Sequence, residues 1–368
     1  MAGTIVDQFD PDYAVHPGEI LEETLEARGM KKTSFAVRCG LSAKTVSQII
    51  SGKAPVTPET AIQFERVLGV SAAVWSNLNT FYDLHMARVS ARKRLEKQVR
   101  WAKSFPLTEL VRRGIIEKPT NAVDAVEKLL NFLGVGSVDA WQERQQQLVE
   151  ASVAYRHSPS FESAPESVAV WLRVGIIRAA RIDARPYSKA KFKSALEEIR
   201  TVTSQPAKVF GPKMKELCRQ AGVALVFVSE FPGTHLSGAT CWLNKDKALI
   251  LLSLRHKRDD HLWFSFYHEA AHVLLHGKKK VFLDETKRMQ GGMESKADSF
   301  AANALIPERD YLAFVSQERF SKNSIMIFAK RIGIAPGIVV GRLQHDGKIP
   351  HWWHNDLKRG LRLVETTE

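Results

Sequence analysis

Apolar residues recur at helical spacing from Pro17, with Ile20, Leu21 and Leu25 running up to a stop at Gly29. Proline suits the first turn of a helix, where its missing N–H would be unpaired anyway, and glycine suits the end. Two short helices are predicted next, Thr33 to Cys39 and Ala43 to Ser51, separated by Gly40-Leu41-Ser42. Two short helices about a glycine turn are the sequence form of a helix-turn-helix, with Ser42 placed to cap the second helix and Gly52 to end it. Further helices are predicted at Pro58 to Leu68 and from Ser71 to about Ala87.

Between Arg88 and Lys103 seven basic residues face the single acid Glu96, which reads as a basic linker helix. From Pro106 to about Arg200 the period stays helical and no chemistry is legible, so a spacer or dimerisation region is expected. At Val223 the period changes. VALVFV, ATCWL and ALILLSL are short β-prone runs separated by turn residues, a small sheet with a hairpin. The run Ala248 to Leu254, taken as the edge strand beside the site described next, would hold an extended peptide by strand addition.

A helix from about Asp260 to His276 carries His268-Glu269-Ala270-Ala271-His272, and a loop with Gly291-Gly292 leads to a helix from Glu294 to Leu305. Histidines at i and i+4 share a helical face and can meet one metal ion, while the intervening glutamate can approach a water activated there. Zinc (Zn2+) would supply that activation, with Glu269 as the general base. Glu294, on the next helix, supplies a third ligand beside His268 and His272. Asp298, one turn on, is placed to take a hydrogen bond from the far nitrogen of a ligand histidine. His276 is read as a helix-end residue rather than a ligand, since i and i+8 lie about 12 Å apart. His345, His351 and His354 are candidates to stabilise an oxyanion.

In the helix-turn-helix, Ala43, Lys44, Thr45, Ser47 and Gln48 lie on the outer face of the second helix, with Lys44 and Gln48 able to read bases. Lys32 and Lys53 flank it as phosphate contacts. The spacing Phe35-Ala36-x3-Gly40-x5-Val46 returns as Phe328-Ala329-x3-Gly333-x5-Val339. The second copy's would-be reading helix, PGIVVGRL, has almost no hydrogen-bonding side chains and is expected to pack.

The balance of 53 Lys and Arg against 40 Asp and Glu, net +13, favours a polyanionic partner without naming one. Cys39, Cys218 and Cys241 are too few and too scattered for a disulfide framework. No apolar run nears the ~20 residues of a membrane helix and no signal peptide is legible, so a cytoplasmic protein with no membrane partner is expected.

Residues 15–88, from VHPGE through SGK to the W-x-N-L motif, resemble the Xre/Cro-type DNA-binding domain of HigA-like antidote proteins. From about Pro206 to Gly347, FYHEAAHVLLHG, ESKADSFAANALIP and GIVVGRLQHDG resemble the ImmA/IrrE family of metallo-endopeptidases. Where family members often carry a second acid two residues after the ligand glutamate and Asn four after, this chain has Lys296 and Asp298. The resemblance implies a gluzincin-like fold with His268, His272 and Glu294 as ligands and Glu269 as base, and links the family to cleavage of helix-turn-helix repressors.

The expected fold is therefore mainly α with a small α+β domain. It divides into a flexible tail (1–14), the DNA-binding domain (15–88), a basic linker helix and helical spacer (89–205), a metallopeptidase-like domain (206–310) and a C-terminal helical region (311–368). The expected function is a homodimeric regulator on double-stranded operator DNA whose zinc domain cleaves a repressor or the chain's own 88–120 region. The competing expectation is an antitoxin or autoregulator, paired with a cognate toxin, whose zinc domain only senses or binds.

Overall fold

The computed structural model describes residues 13–143, 164–275 and 286–363. The expected tail up to residue 12 and His276 lie outside these residues. The chain forms two compact units, Met1–Val99 and Arg100–Glu368.

The first unit contains α1 (Pro17–Ala27), α2 (Lys32–Cys39), α3 (Ala43–Ile50), α4 (Pro58–Leu68) and α5 (Ala72–Glu96). Leu21, Leu25, Phe35, Val46, Ile49, Phe64 and Trp75 form its core. The His-Pro-Gly start has a packing reason. His16 Nδ1 accepts from Gly18 N at 2.9 Å, and a Cβ on residue 18 would lie 2.1 Å from Ile49 O, so only glycine lets α1 meet the end of α3. Gly40 makes the turn at φ 67°, a conformation that favours glycine, and Ser42 Oγ accepts from Thr45 N at 3.0 Å to cap α3. The helix predicted to end near Ala87 and the basic helix after it are one element, α5, in which only Trp75 is buried and Arg88, Arg92, Lys93 and Arg94 are exposed. Nothing between Ala87 and Arg88 breaks a helix, which is why the two merge. After α5 comes the short α6 (Val99–Ala102).

The second unit contains α7 (Leu107–Arg112), α8 (Ala122–Leu133), α9 (Pro165–Arg181), α10 (Lys189–Thr201) and α11 (Ala207–Gln220), then β1 (Val223–Phe227), β2 (Gly238–Asn244) and β3 (Lys247–Leu252). It continues with α12 (Asp259–Leu275), α13 (Thr286–Leu305), α14 (Glu308–Val315), α15 (Lys322–Ile332) and α16 (Pro336–His345). The sheet order is β1-β3-β2, with β1 parallel and β2 antiparallel to β3. This corrects the expectation that the run from Ala248 is an edge: β3 is central and buried from Ala248 to Leu252, as an unbroken apolar run should be. The edge strand packed on α12 is β2. Leu251 faces α9, where a Cβ on Gly175 would come within 2.5 Å of it, while Ala248, Ile250 and Leu252 share the core with Trp263, Phe266 and Ala270 of α12.

The helices before the sheet hold the loop between β1 and β2 by its carbonyls. Trp171 Nε1 donates to Val228 O (2.9 Å), Arg113 to Ser229 O and Glu230 O (both 2.7 Å), and Ser167 Oγ to Pro232 O (2.7 Å). The helix carrying Glu294 starts at Thr286 and takes in Gly291-Gly292, which the sequence reading gave to a loop; two glycines lower helix propensity without forbidding the conformation. All three cysteines are free, and among the described residues no single helix is long and apolar enough to cross a membrane.

Candidate functional site

α12 is buried on almost every side, and its first turn carries Asp259 and Asp260 at the positive end of the helix dipole. His268 and His272 leave the same face one turn apart, and α13 packs alongside and presents Glu294 and Asp298. His268 Nε2 lies 3.1 Å from His272 Nε2 and 3.2 Å from Glu294 Oε2, and His272 Nε2 lies 3.4 Å from Glu294 Oε1. Ligands about 2.0–2.1 Å from a tetrahedral ion stand about 3.3–3.4 Å from one another, so the triangle has the size such an ion requires. Its chemistry agrees: two imidazole nitrogens face each other, and the Glu294 carboxylate closes the triangle with Oε2 buried. It is the one such cluster of three among those residues.

Asp298 Oδ1 accepts from His268 Nδ1 at 2.9 Å, which turns Nε2 toward the triangle. Burial pulls the His268 pKa down, but hydrogen bonds to Asp298 and Glu294 outweigh it and raise it to about 9, so an ion entering the triangle displaces a proton. Glu269 is buried beside this triangle. Its carboxyl is pushed up to about 7 by burial, against the lowering effects of His268 and of Thr240, whose Oγ1 donates to Glu269 Oε2 at 2.8 Å. A carboxylate near 7 suits proton transfer at neutral pH.

A cleft of about 560 Å³ opens against His268, Glu269 and Asp298. It runs back along α12 past Phe264 and His261, with Ile306 and Ile338 among its apolar walls and Arg342 and His345 on α16. Of the three histidines named as oxyanion candidates, His345 lines this cleft and His351 and His354 do not; His354 is bonded to Phe320 O at 2.8 Å. Thr240 and Gly238, both against Glu269, carried no sequence signal, because they reach it from a strand about thirty residues away in the chain.

In the first unit, Ala43, Lys44, Ser47 and Gln48 are exposed along α3, and Thr45 is half-buried with Oγ1 2.8 Å from Ser42 Oγ. Lys53 is exposed just beyond α3, and Lys32, at the start of α2, is ion-paired with Glu22. Val46 and Ile49 point into the core.

Two family models match the chain: a helix-turn-helix over residues 21–75 and an IrrE N-terminal-like domain, a peptidase family, over residues 219–344. The virulence-associated protein I of Dichelobacter nodosus is 37% identical over 75 residues, 20% of this chain and 69% of that protein. YddM of Escherichia coli, described as an uncharacterized HTH-type transcriptional regulator, is 35% identical over 86 residues, 22% of this chain and 92% of that protein. Among solved structures, an addiction module antidote protein of the HigA family from Coxiella burnetii is 32% identical, covering 23% of this chain and 91% of its own at a TM-score of 0.21. A Pseudomonas aeruginosa protein solved with its operator DNA is 30% identical, covering 24% of this chain and 94% of its own at a TM-score of 0.23.

Proposed function

This chain belongs to the Xre-type helix-turn-helix regulators and carries an IrrE-like peptidase-family domain, and on that premise we propose a zinc-dependent endopeptidase that relieves repression by cutting a repressor. Its first unit binds operator DNA as a homodimer, Lys44 and Gln48 reading base edges, Ala43, Thr45 and Ser47 lining the same groove, and Lys32 and Lys53 on phosphates. The observation that carries the peptidase reading is the triangle of His268, His272 and Glu294, 3.1–3.4 Å on a side, with the buried Glu269 carboxyl beside it at the mouth of a cleft.

When bound, zinc supplies Lewis acidity toward water and a peptide carbonyl. The chain's own residues do the rest. Asp298 fixes the His268 tautomer, Glu269 takes the proton from the attacking water and delivers it to the departing amine, and β2, hydrogen-bonded to β3 along one side, offers its other edge to an extended peptide. In the chain's own 88–120 region, residues 88–96, 99–102 and 107–112 are helical and would first have to unfold to pair with β2, whereas 113–120 are not helical. The substrate is then the extended linker of a separate repressor or this non-helical stretch of the chain itself.

The test is to incubate zinc-loaded wild type and Glu269→Gln with operator DNA and candidate repressors encoded beside this chain, reading metal content and fragments by mass spectrometry. Fragments from wild type alone, with equal zinc in both proteins, are expected. Identical patterns, or none, would turn the reading to an antitoxin-like autoregulator with a non-catalytic zinc domain.

A further inference from the structure

The Glu269 side chain is held from two sides by β2 (Gly238–Asn244), a strand that lies outside the His-Glu-x-x-His and Glu294–Asp298 motifs. Thr240 Oγ1 donates to Glu269 Oε2 at 2.8 Å and lies 3.1 Å from the main-chain oxygen of the same residue. At the other oxygen, a Cβ built on Gly238 would lie 2.7 Å from Oε1 and 2.8 Å from Cγ, closer than a side-chain carbon can stand. Residues 238 and 240 alternate on one face of the strand, the face toward α12, so the hydroxyl and the clearance come from a single stretch of backbone.

We propose that Thr240 is the positioning residue of the general base, occupying Oε2 so that Oε1 is the oxygen that takes the proton, and that residue 238 is glycine to leave Oε1 room. This rests on the reading of Glu269 as the base. It has a consequence for substrate recognition. β2 is paired on one side by β3, so a peptide added along its other edge takes its register from the same strand that sets the carboxylate. Register and base orientation then share one rigid element, which is what a site requires to hold reacting groups at a fixed distance.

The test needs no substrate. Acetohydroxamic acid chelates zinc through two oxygens and passes its hydroxyl proton to a neighbouring carboxylate, so its affinity reads the placement of Glu269. Calorimetric titration of the zinc-loaded full chain should show Thr240→Val binding about tenfold more weakly than wild type, about 1.4 kcal/mol, the scale of a lost hydrogen bond to a charged group. Thr240→Ser should restore affinity to within about twofold, since it returns the hydroxyl without the methyl group. Gly238→Ala should weaken binding as Thr240→Val does, and all three should keep the wild-type zinc content, because neither residue is a ligand.

Wild-type affinity in Thr240→Val, alongside weakened binding in Glu269→Gln, would overturn the proposal, and so would loss of zinc from Thr240→Val or failure of serine to rescue it. The expected pattern together with no proteolysis of any repressor would leave Thr240 in its role and remove only the repressor-cleaving reading.

Discussion

The chain builds a helix, a left-handed glycine and a second helix twice from the same spacing, and puts the two copies to opposite uses. In the first, α2 and α3 meet about Gly40 at φ 67°; in the second, α15 and α16 meet about Gly333 at φ 71°. Phe35, Ala36 and Val46 are buried in one, and Phe328, Ala329 and Val339 in the other. With the two glycines superimposed along the sequence, Lys44 and Gln48 fall on Gly337 and Gly341. Lys44 and Gln48 are exposed. At Gly337 a Cβ would stand 2.7 Å from Asp259 Oδ1, and at Gly341 2.8 Å from Asp260 Oδ2. The positions that α3 leaves open for a ligand are, in α16, stripped to backbone and pressed on the first turn of α12. A shared spacing therefore identifies a shared turn; what the outer face carries decides whether it can read DNA.

The sharpest way to break this contrast is to give α16 the residue of α3. Gly341→Gln puts a side chain where Asp260 already sits, itself ion-paired to Lys358 at 2.6 Å. It should cost about 3 kcal/mol or more, the upper range of overpacking. Gln48→Gly, the reverse exchange, should cost about 1 kcal/mol, the helix propensity difference at an exposed position. Urea unfolding of the full chain, followed by tryptophan fluorescence, compares them; equal losses would mean that α16 is not packed as described.

The next largest effect concerns the carboxylate under Gly337. Burial is the main cause that raises Asp259 to about 6, reinforced by the charge of Asp260 and opposed by hydrogen bonds from the Arg359 and Asp260 main chains. Its Oδ2 is buried without a partner among the described residues. An acid whose pKa is higher folded than unfolded binds more protons in the folded state, so stability falls as pH rises from about 4 to about 6 and stays low above that. Asp259→Asn removes this loss. Its advantage over wild type should be near zero at pH 4, grow through pH 6, and level off at about 3 kcal/mol. Paired urea titrations across that range measure it, and an advantage that shrinks with rising pH would refute the assignment.

On the open face, Lys44→Ala and Gln48→Ala should each cost about 1–3 kcal/mol of operator binding and relax sequence preference, with little effect on folding. Footprinting on operator and random DNA reads both. Equal losses on the two DNAs would mean that α3 does not read bases.

These contrasts also mark what the sequence made legible. Helices carry their own period, and His268 and His272, whose Nε2 atoms lie 3.1 Å apart, sit one turn apart, so their pairing could be read without a fold. That PGIVVGRL packs was legible from its lack of hydrogen-bonding side chains, but what Gly337 and Gly341 pack on was not, because Asp259 and Asp260 lie about eighty residues earlier. The stretch from Pro106 to Arg200 showed no chemistry for a related reason. Arg113, Ser167 and Trp171 act on the carbonyls of residues 228–232, and a carbonyl has no letter in the sequence. Thr240 is a plain strand residue until the sheet is laid on α12. The edge position had no signal of its own, because an unbroken apolar run marks burial on both faces of a sheet: ALILL is central, whereas VALVF, equally apolar, is the edge strand β1.

The smallest expected effect separates the open helix-turn-helix from its charged surroundings. Lys32 begins α2, where a phosphate contact is expected, yet its ammonium is paired with Glu22 and both side chains are partly exposed. An exposed pair of this kind adds little to stability, about 0–1 kcal/mol, and to reach a phosphate the lysine must give it up. Lys32→Ala should therefore weaken operator and random DNA alike and lower the slope of log K against log salt by less than the ~0.9 expected for one full phosphate contact. Glu22→Gln frees the ammonium and should move the slope the other way, toward a full contact. Fluorescence anisotropy between low and moderate salt measures both, and a change confined to the operator would make Lys32 a base-reading residue instead.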